Sequence, residues 1–84
     1  MTSEEIFDQL VPIITLYLPD DVSPDEIQLK SDLTGELNIN SAHLVDIVLD
    51  VEDTFSIVFA NEDMEQLHTV QDAITIIQKK ITTK

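Results

Sequence analysis

Leu and Ile recur along the chain at spacings of three and four residues, the period of helices buried on one face. A single Gly and three Pro punctuate it sparsely, so the pattern predicts an all-α, all-helical fold. The first helix is expected from about Ser3 to Leu18. Thr2 and Glu5 stand at capping-box spacing, Glu4 and Glu5 complement the positive helix start, and Ile6, Leu10, Ile14 and Tyr17 form one stripe. Pro19 stops this helix. Pro12 lacks an N–H and crowds the carbonyl of Asp8, which predicts a kink or a split into two short helices.

Asp20 to Asn40 forms a long connection with internal structure of its own. Ser23-Pro24-Asp25-Glu26 pairs a cap residue with Pro at the first helical position. Ser31-Asp32-Leu33-Thr34-Gly35 reads as a single turn closed by Gly. Val22, Ile27, Leu29, Leu33, Leu37 and Ile39 recur as apolar anchors, so the loop should pack across a helical bundle.

Asn40 or Ser41 caps a second helix running to about Phe55. On a helical wheel Leu44, Ile47, Val48, Val51 and Phe55 fall within about 100° of arc, the width of a buried stripe. His43, Asp46, Asp50, Asp53 and Thr54 fill the opposite arc, and Ala42, Val45 and Leu49 make a second apolar strip beside the acids. One core face suffices for a bundle, so the second strip is surplus. Asn61, Glu62, Asp63 and Met64 predict a short third helix ending near Leu67. Thr69 and Asp72 cap a last helix with core stripe Val70, Ala73, Ile74, Ile77 and Ile81; Lys79, Lys80 and Lys84 sit at its end, where cations favour the dipole.

Composition narrows the function. Leu, Ile, Val and Phe make up 30 of 84 residues, enough to fold one domain spanning the whole chain, 1–84, but with a core too thin for a deep enzyme pocket. The formal net charge of −13 repels phosphate backbones and anionic headgroups, which disfavours nucleic acid and membrane and favours basic protein partners. The absence of Cys removes disulfides, thiolate metal sites and thiol catalysis. No basic leader or membrane-length apolar run stands in the sequence, and a soluble intracellular monomer is expected.

Dedicated chemistry is scarce. The acidic clusters at Asp20-Asp21 and Asp50 to Asp53 lack the alternating oxygen ligands and central Gly of a calcium loop, so no metal site is expected. His43 and His68 have no ligand-like partners and read as surface residues. No spacing pairs a nucleophile with a base, and no Gly loop cradles phosphate; the protein is not expected to be an enzyme.

The order of these features resembles that of the acyl carrier proteins across essentially the whole chain. Asn40-Ser41-Ala42 opens an acidic, apolar-striped helix; Val51-Glu52-Asp53-Thr54-Phe55 follows, then Leu67-His68-Thr69-Val70-Gln71-Asp72-Ala73-Ile74. The family pattern is a Leu-Gly-x-Asp-Ser-Leu segment, a helix carrying Glu-x-x-Phe, and a Thr-Val-x-Asp-Ala-Ile closing helix, and it aligns from Leu37 to Ile74 without a gap. The closing motif matches well. In the serine motif Gly becomes Asn38, Asp becomes Asn40 and the following Leu becomes Ala42.

The resemblance implies a four-helix bundle of three longer helices and one short third helix, with a long loop between helices one and two. It implies 4′-phosphopantetheine attached to Ser41, installed by a phosphopantetheinyl transferase, as the cofactor that carries acyl or polyketide intermediates as thioesters. A plain helix cap is the competing role for Ser41. It further implies that acyl-transferring and condensing enzymes with basic patches read Asp46, Asp50, Glu52 and Asp53, with Val45 and Leu49 supplying apolar contact. Such contacts should be brief, because rim charges raise encounter rate more than affinity. A free-standing cytoplasmic carrier is expected, for fatty acid synthesis or a specialised polyketide-type pathway. An unmodified carrier-like regulatory subunit and an aminoacyl carrier are the alternatives.

Overall fold

The computed structural model describes residues 2–82; Lys84, expected at the end of the last helix, lies outside them. Four α-helices follow in order: α1 Ser3–Thr15, α2 Ser41–Phe55, α3 Asn61–Glu65 and α4 Val70–Thr82. Among the described residues no β-strand forms, and Asp32 and Thr69 make an isolated bridge.

α1 starts where its capping box places it: Glu5 N–H donates to Thr2 Oγ1 at 3.2 Å and Thr2 N–H to Glu5 Oε1 at 3.0 Å. It ends at Thr15, short of the expected Leu18, because Leu18 precedes Pro19 and is pushed out of the helical region. Leu16, Tyr17 and Leu18 instead close tighter turns onto Ile13, Ile14 and Thr15. Pro12 does not split the helix. Both Pro12 and Asp8 are exposed, so the proline ring is accommodated on the solvent side of the helix.

α1 packs against both α2 and α4. Ile6, Leu10, Ile13 and Ile14 of α1 meet Ile47, Val48, Val51 and Phe55 of α2 and Val70, Ala73, Ile74, Ile76 and Ile77 of α4 in one core. Ile13 and Ile76 join it beyond the expected stripes, whereas Tyr17, Leu44 and Ile81 are only partly buried against it. α3 buries none of its residues. Its start is held by Asp63, whose Oδ2 accepts the Ala60 N–H at 2.8 Å, and by the Lys80 ammonium 2.7 Å from the same oxygen. The ammonium beside it and the Ala60 amide hold the Asp63 carboxyl below its ordinary range.

The long connection contains a 3-10 turn, Pro24–Glu26, entered through a Ser23 cap. Ile27, Leu33, Leu37 and Ile39 are buried, but Leu29, expected as an anchor, is 44% exposed. Backbone bonds tie this loop to α4. His68 C=O accepts from Leu33 N–H at 2.9 Å, Ser31 C=O from Val70 N–H at 3.1 Å and Leu29 C=O from Gln71 N–H at 2.8 Å. The last two satisfy amides of the first turn of α4, which no helical carbonyl reaches.

Gly35 does not close its turn through a left-handed conformation; the left-handed residue is Asn38, at φ 58°. Asp32 organises the turn, its Oδ1 accepting from the amides of Thr34 and Gly35 at 3.2 Å each. Those two amides lower its pKa. A Cβ at Gly35 would stand 3.0 Å from Asp32 Oδ2, so a larger residue there requires the carboxylate to give way by a few tenths of an ångström.

Candidate functional site

Ser41 is the first residue of α2 and is exposed. Its position is set from the loop. Asn38 turns the chain through the left-handed region, which Asn tolerates better than other residues with a Cβ. Ile39 then buries its side chain and donates its N–H to the Leu33 carbonyl at 3.0 Å. Asn40 follows in extended conformation as the N-cap, its Oδ1 accepting the His43 N–H at 2.8 Å and its carbonyl the Leu44 N–H at 2.9 Å. The amides of Ser41 and Ala42 stand at the open end of the helix, where the dipole is positive, and no acid occupies the first turn.

This donor set fits a phosphodiester on the Ser41 oxygen. The hydroxyl is accessible, the cap is neutral, and two amides without helical acceptors lie beside it. His43 is exposed and lies beside the Tyr17 ring, at 5.8 Å between centroids and tilted by 49°.

Down α2, the acids have separate roles. Asp46 and Asp53 are exposed. Asp50 is half-buried, and its Oδ2 accepts the Tyr17 hydroxyl at 2.8 Å. Glu52 is half-buried, and its Oε2 accepts the Phe59 N–H at 2.7 Å, fixing the chain between α2 and α3. Val45 and Leu49, one turn apart, are 47% and 56% exposed and form the surplus apolar strip beside Asp46 and Asp53. The Asp50 hydrogen bond, followed by burial and the charges of Asp50 and Asp46, raises the Tyr17 pKa.

Tyr17 is the residue that periodicity placed differently. Its spacing fits the core stripe of α1, yet it lies past the helix end with its hydroxyl on the α2 acids. His68 is exposed, as expected, and its N–H donates to Asp72 Oδ2 at 3.2 Å within the cap of α4. No group of His, Asp or Glu among the described residues is arranged to hold a metal ion.

No family model matches the chain. It is 38% identical over 84 residues to an acyl carrier protein of Coprothermobacter proteolyticus, with all of both chains covered. With an acyl carrier protein of Petrotoga mobilis it is 31% identical over 81 residues, 96% of this chain and 93% of that one. Among solved structures, an acyl carrier protein from Enterococcus faecalis superposes with a TM-score of 0.76 at 29% identity, over 95% of this chain and 99% of the other. The crystal structure of an acyl carrier protein from Thermotoga maritima gives 0.80 at 22% identity, over 96% and 92% of the two chains, and shows the shared fold.

Proposed function

The chain belongs to the acyl carrier protein family, and on that premise we propose that Ser41 is its attachment site for 4′-phosphopantetheine and the exposed side of α2 its docking face. Members of the family are non-catalytic carriers with this group covalently attached. When bound, it supplies a flexible arm whose thiol holds an acyl group as a thioester. The protein contributes position. The observation that carries the assignment is the exposed Ser41 hydroxyl at the start of α2, with Asn40 capping the His43 amide and leaving those of Ser41 and Ala42 to a phosphate.

Docking follows from the same helix. Asp46 and Asp53 present free carboxylates to basic partner enzymes, Asp50 and Glu52 set the ends of the acidic arc through Tyr17 and Phe59, and Val45 and Leu49 offer apolar contact between them. The partners are a phosphopantetheinyl transferase and acyl-transferring or condensing enzymes of fatty acid or polyketide-type synthesis, in the cytoplasm. No helix among the described residues is long and apolar enough to cross a membrane.

Incubation with coenzyme A and a permissive phosphopantetheinyl transferase tests the assignment. The expected product gains one phosphopantetheine mass and one thiol, in a protein that otherwise has no Cys. Ser41→Ala should abolish the gain with the fold intact, because the cap is the Asn40 side chain. Absence of a mass gain with several transferases, or a gain that survives Ser41→Ala, overturns it.

A further inference from the structure

Away from α2, Ser3, Glu4, Phe7, Asp8 and Leu29 line an open groove of about 350 Å³, most of its surface apolar. Phe7 is half-buried against the core, and Leu29, 44% exposed, forms the opposite wall. The backbone that carries this wall is held to α4, because the Leu29 carbonyl accepts the Gln71 amide at 2.8 Å. Glu4 and Asp8 lie one helical turn apart at the rim, both exposed and neither in an ion pair among the described residues.

We propose that this groove is a second docking surface, for an amphipathic basic segment of a protein partner. One Lys or Arg stem lies along Phe7 and Leu29, and its charged head reaches between Glu4 and Asp8. Charge complementarity selects this occupant. Two carboxylates over an aromatic and an aliphatic wall match a side chain that is apolar along its stem and cationic at its tip. The protein already packs a cation in this manner, with the Lys80 ammonium 6.0 Å from the Phe59 ring centroid. A second copy of the chain is a poor occupant, since each copy carries a net charge of −13 and has only 4 Lys or Arg residues.

The groove is also remote from Ser41. Contacts of Tyr17 with His43 and Asp50 put the chain just past the C-terminal end of α1 beside the stretch of α2 between those two residues. Ser3 to Asp8 occupy the other end of α1, roughly 10–18 Å from Thr15 along the helix axis. A partner seated there leaves the α2 face open, so the carrier can be held by one protein while another works at Ser41.

The test is an NMR titration of the isotopically labelled, unmodified protein, which keeps the result independent of any loading at Ser41. The probe is a helical peptide with Leu and Arg one turn apart, with the Arg→Glu peptide as control. The expected result is saturable shifts of the Ser3, Glu4, Phe7, Asp8 and Leu29 amides with the Arg peptide alone. Glu4→Lys with Asp8→Lys should weaken them by about tenfold. Leu29→Ser, a change at an exposed loop position, should weaken them also and decides the matter if the double variant is misfolded. Asp46→Lys with Asp53→Lys should leave them unchanged. Shifts confined to α2, groove shifts that persist in Leu29→Ser, or the same shifts on self-association without peptide would overturn the proposal.

Discussion

The Tyr17 hydroxyl donates to Asp50 Oδ2 at 2.8 Å, joining the end of α1 to the acidic arc of α2 across 33 positions of sequence. The bond explains why a residue at core spacing keeps its polar end outward. The ring is partly buried, but a phenol hydroxyl needs a partner, and the α2 acids supply one.

Tyr17 is the only Tyr in a chain without Trp, so its ionisation can be followed by ultraviolet absorbance without overlap. Its bond to Asp50 favours the neutral phenol, so the midpoint should lie above the ordinary value of about 10, and Asp50→Asn should bring it down. Because the folded pKa is raised, the stabilisation is fully present below the unfolded value and is lost as pH rises through the folded one. Melting temperature should therefore fall more steeply above about pH 10 in the native protein than in Tyr17→Phe. An unshifted midpoint would break the link between α1 and Asp50.

At φ 58° Asn38 holds the conformation that Gly adopts without penalty, and it stands where the family pattern places Gly. Asn38→Gly should change stability by less than about 0.5 kcal/mol, whereas Asn38→Val should cost about 1–2 kcal/mol through left-handed strain. Chemical denaturation measures both. The departure from the pattern at this position is thus conformationally conservative.

Glu52 and Asp53 are neighbours in sequence with different consequences. Glu52 accepts the Phe59 amide at 2.7 Å, while Asp53 is exposed. Glu52→Ala should cost about 1 kcal/mol by stranding a part-buried amide, and hydrogen exchange at Phe59 should accelerate. Asp53→Ala should leave both unchanged. Equal effects from the two variants would mean that the chain between α2 and α3 is held by something other than Glu52.

These contrasts mark what one-dimensional pattern reveals. The caps at Thr2, Ser23, Asn40 and Thr69 are legible because donor and acceptor lie two or three residues apart. The α2 core stripe is legible for the same local reason, and so is Ser41 at the start of its helix. Ile13 lies outside the single stripe because α1 packs against two helices, which widens its buried face. Tyr17 with Asp50, Glu52 with Phe59 and Asp63 with Lys80 depend on how separate elements dock, and no spacing encodes that. Leu29 shows the same limit, since exposure of a loop residue follows from the path of the loop.

The excess negative charge gives a last prediction, in which folding and docking respond in opposite directions. Asp46 and Asp53 are exposed beside Val45 and Leu49 in a chain of net charge −13. They are held closer to other acids in the fold than in the expanded chain, so screening should raise the melting temperature. Asp46→Lys with Asp53→Lys should therefore keep the helix content, melt no lower than the native protein and flatten the salt dependence of melting. Transfer to or from a basic partner enzyme should slow by about tenfold or more at low salt, because favourable steering becomes repulsion. The rate deficit should shrink as salt is added, while the native rate falls. Stopped-flow transfer at several ionic strengths, read beside thermal melts, separates the two effects. A variant that is stable yet transfers at the native rate would remove the docking face from this side of α2.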